Sequence, residues 1–226
     1  MISADSNSIR RSDAELVQIV DAAFADSAAR SGGHLACRPG CTQCCHGAFA
    51  INPLDAARLR NAIASLLLEN PAKAAEIETR ARAYISEFGA SFPGDRQTGL
   101  LDESEEAQAA FDDFANEAAC PALNPATGLF DVYDARPMTC RVFGPPVRMN
   151  NSPAEADEGE EGLAVCELCF TTASPAEIAA AEMHVPIREE EQLLEVLEQQ
   201  TGIQPRDTIV AYCLLPSAPT ASSAPR

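Results

Sequence analysis

Apolar residues recur every three or four positions along "SDAELVQIVDAAFADSAARSGG", where Leu16, Ile19, Val20, Ala23 and Phe24 share one helical face. Ser12 and Glu15 have capping-box spacing ahead of that run and Gly32 follows it, so the pattern predicts one helix in an N-terminal segment, residues 1–35. Further on, "NPLDAARLRNAIASLLLEN" opens with Asn52 as a cap and Pro53 at the first helical position, and "PAKAAEIETRARAYISEF" starts in the same way at Pro71. These two segments predict a helical hairpin. A fourth helix is expected over "ESEEAQAAFDDFANEA", its acids gathered in the first turn where the helix dipole favours them. "GLFDVY", Gly128 to Tyr133, reads as a short strand by its β-branched and aromatic content. "SPAEIAAAEM" and "IREEEQLLEVLEQQTG" add two more helices. "EADEGEEG" reads as a solvated acidic loop, and "PSAPTASSAPR" as a disordered tail.

The expected fold class is mainly α, with a short strand or small hairpin and an irregular cysteine-rich metal-binding core packed on helices. The expected organisation is the N-terminal helix at 1–35, a cysteine-cluster domain at 36–215 with a helical insert at 53–118, and the tail at 216–226. No internal repeat is visible.

Composition narrows the function classes. A chain of 226 residues, 46% hydrophobic, buries a sizeable core without needing disulfides. Its net charge of -18 argues against a nucleic-acid partner, because duplex affinity comes mainly from Lys and Arg neutralising phosphates. No apolar run of signal-peptide or membrane-spanning length is present, so the expectation is a cytoplasmic protein with no membrane partner. In a reducing compartment, clustered cysteines point to metal binding or catalysis before structural disulfides, and nine is an odd number for a closed disulfide set.

The cysteines carry the candidate chemistry. "CRPGCTQCC" places Cys37, Cys41, Cys44 and Cys45 within nine residues, in company (Pro39, Gly40, Thr42, Gln43) unlike a core. Cys120 follows the fourth helix, Cys140 sits in "RPMTCRVFG", and Cys166 and Cys169 form "CELC". Thiols at element ends and in loops can converge from distant segments, as a four-thiolate zinc site or an iron-sulfur cluster of the 4Fe-4S type requires. Cys37, Cys41, Cys44, Cys45, Cys120, Cys140, Cys166 and Cys169 are the candidate ligands. Neighbouring side chains usually diverge, so Cys44 and Cys45 on one ion is awkward. Two metals, or one ligand and one support, is easier. Cys213, inside the apolar "IVAYCLL", reads as a packing residue or spare. His46 could ligate but better suits a supporting or solvent role, and His34 and His184 are weak candidates.

Arg136 and Arg141 flank the Cys140 segment in a chain short of positive charge, and are expected to offset the charge of the ligands. Arg136-Pro137 is expected to open the turn that presents Cys140. The C-x3-C-x2-C spacing also occurs in radical SAM enzymes, but helices follow Cys45 where their barrel requires alternating strands. That spacing is less typical of zinc knuckles, which tips the reading towards iron-sulfur.

"CRPGCTQCCHGAFAINPLDAARL" and "CPALNPATGLFDVYDARPMTCRVFG" together resemble the YkgJ-type cysteine-cluster proteins, whose domain is described as zinc- or iron-chelating. Cys37, Cys41, Cys44 and Cys45 match the opening cluster, and Ile51 to Leu59 the apolar lead into a Pro-started helix. Cys120, Pro121 and Leu123 match a CPxL segment, and Tyr133, Arg136, Pro137, Cys140 and Arg141 the final motif. The match runs from about Cys37 to Gly144 and departs at Phe130, where the family usually carries a cysteine. Cys166 or Cys169 is a candidate replacement. The resemblance implies metal chelation. It extends to flagellin lysine methylases, which makes an iron-sulfur-dependent enzyme the alternative to a metal-binding or structural zinc module.

Overall fold

The computed structural model describes residues 4–148 and 163–216. The expected acidic loop, and all of the expected tail but Pro216, lie outside the described residues. Eight α-helices form among those described: α1 (Ala4–Ser31), α2 (Pro53–Glu69), α3 (Pro71–Phe88), α4 (Glu105–Asp112), α5 (Met138–Val142), α6 (Pro175–Ala181), α7 (Ile187–Thr201) and α8 (Val210–Cys213). Eight two-residue strands accompany them: β1 (Ala50–Ile51), β2 (Gly94–Asp95), β3 (Leu100–Leu101), β4 (Leu123–Asn124), β5 (Leu129–Phe130), β6 (Val147–Arg148), β7 (Leu163–Ala164) and β8 (Thr208–Ile209). The protein is mainly helical with small β elements. The chain divides into two compact units, one of residues 1–41 with 138–205 and one of 42–137 with 206–226.

In the first unit α1 packs on α5, α6 and α7. Leu16 and Val20 of α1 meet Met138, Val147 and Met183 in one apolar cluster. The carbonyls that end α6 are taken up by α1: the Ser27 hydroxyl donates to Ala181 O at 2.5 Å, and Arg30 donates to Ala180 O and to Glu182 O. Helix ends otherwise leave such acceptors unsatisfied. Helix α6 begins with a full capping box between Ser174 and Glu177. Helix α7 stops at Gly202, whose φ of 66° is the left-handed conformation of a helix terminator. Strands β6 and β7 pair antiparallel, Val147 opposite Ala164.

The second unit is built on the α2–α3 hairpin, and its caps are the expected ones. Asn52 Oδ1 accepts from Leu54 N at 2.9 Å and Asp55 N at 3.0 Å, and Asn70 Oδ1 from Lys73 N at 3.1 Å. Each cap contributes about 1 kcal/mol. Leu59 and Ile63 face Ile77 and Ala81, and Cys213 and Leu214 of the chain's last described stretch complete this core. A four-stranded sheet of order β1-β8-β3-β2 closes the unit, bringing Ala50 opposite Ile209 and Leu100 opposite Thr208.

Three expectations need correction. Ser12 and Glu15 do not begin the first helix, which starts at Ala4 with Ser12 well inside it. Ile9 is buried on the stripe that Leu16 and Val20 continue, so packing carries the helix upstream past a local cap signal. Helix α4 ends at Asp112, where Asn116 Nδ2 donates back to Asp112 O at 2.7 Å and Ala115 adopts a positive φ. The strand in "GLFDVY" is only β5, paired with β4 in a hairpin, after which Tyr133–Ala135 turns as a 3-10 helix.

Candidate metal centre

Four of the predicted ligands lie in the first unit. Cys37 and Cys41 lie on the loop after α1, closed by a turn in which Cys41 N donates to Arg38 O at 2.9 Å. Cys166 and Cys169 lie on a second turn, closed by Cys169 N to Cys166 O at 2.8 Å. The two turns are tied together, because Ala36 N donates to Cys169 Sγ at 3.3 Å and Phe170 N donates to His34 O at 2.9 Å. His34 stacks on Phe170 with ring centroids 5.6 Å apart, and its Nε2 lies 3.5 Å from Glu177. Cys37, Cys166 and Cys169 share one apolar cluster with Leu35, Phe143 and Phe170.

This packing shows in the thiol chemistry. Burial first, then the neighbouring Cys169, Cys41 and Cys166 thiols, push Cys37 up to about 12. Burial, with Cys169 and Cys41, also raises Cys166 against a backbone N–H from Leu168. Thiols crowded like this resist ionising beside one another, and a bound cation is what relieves that repulsion.

Gly144 sets the fit from the side. Its φ is +126°, and a Cβ there would stand 2.6 Å from Cys37 Sγ, while its carbonyl accepts from Cys166 N at 3.4 Å. The same residue touches both turns. Nothing in "FGPP" read alone marks it; the signal is its closeness to two cysteines that the sequence places far apart.

A second group of thiols lies in the second unit. Gln43–Cys45 forms a 3-10 turn, closed by Cys45 N to Thr42 O at 2.8 Å. His46 pairs with Ala119 in an antiparallel bridge, Cys120 N donates to Cys45 O at 2.7 Å, and Gly47 N donates to Ala118 O at 2.9 Å. The Cys44 thiol is lowered to about 7, chiefly by a hydrogen bond with Cys45 that outweighs burial, with its own backbone N–H, Arg136 and His46 adding to the effect. Burial raises Cys120 to about 11 even though the Ala122 and Leu123 N–H groups favour its thiolate, and nearby Cys44 raises it further. The His46 Nδ1 donates to Thr42 O at 3.0 Å.

The remaining candidates are placed as follows. Cys140 is half-buried on α5, which starts at Met138 and not at Pro137 as expected, so that Cys140 lies within the first turn. Arg136 lies over the Tyr133 ring, 4.1 Å from its centroid, within electrostatic reach of Cys44. Arg141 is buried and donates to both carboxylate oxygens of Asp21, at 2.8 and 2.7 Å. Cys213 is fully buried in the α2–α3 core, and burial raises its thiol to about 11. Tyr84, which the sequence reading passed over, is near Cys120; burial, then Cys120, raises it to about 12.

Among the described residues, no three His, Cys, Asp or Glu groups converge closely enough to hold an ion as they stand. The donor chemistry nonetheless fits a thiophilic metal, since paired thiols on two tight turns are what tetrahedral sites draw upon. A family model described as "CxxCxxCC: Putative zinc- or iron-chelating domain" matches residues 36–169, more than half of the chain.

The chain belongs to this CxxCxxCC family.

The matched span begins one residue before Cys37 and ends at Cys169, so it takes in every predicted ligand. No curated protein and no solved structure matches the chain. The match agrees with the cysteine-cluster motifs read from the sequence, and the family's description supports metal binding without choosing the metal. No helix among the described residues is long and apolar enough to cross a membrane.

Proposed function

We propose that this CxxCxxCC protein is a metal-binding protein in which Cys37, Cys41, Cys166 and Cys169 hold one zinc ion as four thiolates. The observation that carries this reading is the pairing of thiols: Cys37 interacts with Cys169, Cys41 and Cys166, all in one compact unit. Both pairs sit on tight turns, with spacings C-x3-C and C-x2-C inside the range of zinc knuckles. The C-x3-C-x2-C run that suggested a cluster is divided by the unit boundary between Cys41 and Thr42. When bound, zinc would supply cross-linking of the two turns and no redox chemistry. The chain's own residues do the rest: Ala36 N donates to the Cys169 sulfur, and Phe143, Leu35 and Phe170 pack around the thiols.

An iron-sulfur cluster is the second reading, favoured by the surplus of thiols, with an enzymatic role as its corollary. Protein purified without oxygen and assayed for metal and visible absorption decides between them. Zinc in a colourless protein, lost on Cys166→Ser or Cys41→Ser, is expected. A brown protein with iron and inorganic sulfide would overturn the zinc assignment. Metal content unchanged in both variants would remove these thiols from the ligand set.

A further inference from the structure

We infer that His34 is a positioning residue for the metal site proposed above. Stacked on Phe170, it clamps the turn that carries Cys166 and Cys169 onto the loop that carries Cys37 and Cys41, without being a ligand itself. The inference rests on that metal-binding reading, and every residue in it belongs to the first compact unit.

Phe170 is the residue that calls for an explanation. It directly follows Cys169 and is one of two non-glycine residues among those described with a positive φ, at 57°. A bulky side chain rarely adopts that left-handed conformation, which persists only where the surroundings hold it. Here the Phe170 N–H donates to His34 O at 2.9 Å, and its carbonyl accepts from Ala173 N at 3.1 Å. Its buried ring lies against the His34 ring, centroids 5.6 Å apart and planes 19° apart. The backbone is thus held in an unusual conformation immediately after Cys169, whose sulfur accepts from Ala36 N at 3.3 Å on the facing loop.

His34 is anchored in turn. It ends the 3-10 turn Gly32–His34 that follows α1, and its Nε2 faces Glu177 Oε1 at 3.5 Å. The other carboxylate oxygen of Glu177 accepts from Ser174 N and Ser174 Oγ, both at 2.7 Å, in the capping box of α6. Helices α1 and α6 are themselves joined through Ser27 and Arg30. The imidazole therefore has its face on Phe170 and Nε2 towards Glu177, an arrangement for support and not for ligation. Among the described residues no three potential ligands stand close enough to hold an ion, so what the chain supplies in advance is the approach of the two turns. Contacts just outside the ligands are what orients them.

Zinc affinity of the full chain, measured by chelator competition, tests the clamp when combined with denaturant melts in excess zinc and in chelator. His34→Ala should weaken zinc binding about tenfold, the lower end for loss of a supporting contact. His34→Phe keeps a flat ring over Phe170 but has no nitrogen to offer a metal, and it should recover most of that loss. The melts of His34→Ala should show a larger loss in zinc than in chelator. Should His34→Ala fail to fold, His34→Gln, polar and without a ring, carries the same comparison. Unchanged zinc affinity in the ringless variant, or equal losses in the two melts, would make His34 a merely structural residue and overturn the inference alone. His34→Phe binding zinc as weakly as the ringless variant would also overturn it, because the stack would then not be what positions the turn. An unaltered chain that binds no zinc would refute the metal-binding reading itself, and the clamp with it.

Discussion

Gly144→Ala should disable the Cys37 centre without removing a ligand. The added methyl would lie 2.6 Å from Cys37 Sγ, and Gly144 has a φ of +126°, outside what other residues adopt comfortably. The backbone alone costs about 1–3 kcal/mol. Ordinary carbon contacts lie at roughly 3.5–4.0 Å, so the sulfur has to retreat by about 1 Å. Metal–ligand distances tolerate only about 0.2 Å, and even supporting groups typically change affinity by about 10–100-fold. A loss of about 100-fold removes about 2.7 kcal/mol of zinc-linked stabilisation. Denaturant melts run with excess zinc and with chelator should therefore differ. In chelator the variant loses only the backbone cost, and with zinc it loses that cost plus the linked stabilisation. Gly202→Ala is the control, since Gly202 also has a positive φ, at +66°, but open space around its missing Cβ. It should cost about 1 kcal/mol equally in both conditions. A Gly144→Ala protein that keeps zinc affinity and shows equal losses with and without the metal would refute the placement of Cys37 in the centre.

Other expectations follow from single side chains. Asp131 is held low because hydrogen bonds from Lys73, Asn124 and Arg80 outweigh the burial that would raise it, with Lys73 at 3.0 Å and Arg80 at 2.5 Å. A lowered carboxyl stabilises the fold above its unfolded value of 3.8 and loses that contribution as pH falls through its folded value, so acid sensitivity below about pH 4 should be blunted in Asp131→Asn. The same variant should lose about 1–2 kcal/mol at pH 7 in denaturant melts, and no measurable loss would show the pair to be idle. Cys213→Ala should keep full metal content and cost about 1 kcal/mol from its lost core volume; metal loss would move Cys213 among the ligands. In metal-free protein, Cys44 should be the thiol that iodoacetamide alkylates fastest at neutral pH, being lowered to about 7. Cys45→Ala and Arg136→Gln should each slow it, and unchanged rates in both would contradict that cause.

The helical frame was legible because its signals are local. Asn52-Pro53 and Asn70-Pro71 specify the starts of α2 and α3 within four residues, and Ser174 with Glu177 does so for α6. The four-stranded sheet was not, because two-residue strands carry no alternation and β8 joins partners more than a hundred residues upstream. The cysteines were legible as candidate ligands by type and spacing, but which of them share a compact unit was not. That Cys44 and Cys45 lie beside the segment ending at Cys120 depends on the His46–Ala119 bridge, a long-range pairing that leaves no local pattern. Arg141 shows the same limit: next to Cys140 in sequence, it donates to both carboxylate oxygens of Asp21 on α1.

X-ray absorption at the zinc edge, recorded on the chain loaded with one equivalent of zinc, asks whether Cys37, Cys41, Cys166 and Cys169 form the proposed four-thiolate centre. A single shell of four sulfurs at about 2.3 Å is expected, collapsing to a mixed sulfur and oxygen or nitrogen shell in Cys166→Ser. A mixed shell in the unaltered chain, or a four-sulfur shell that survives Cys166→Ser, would contradict it.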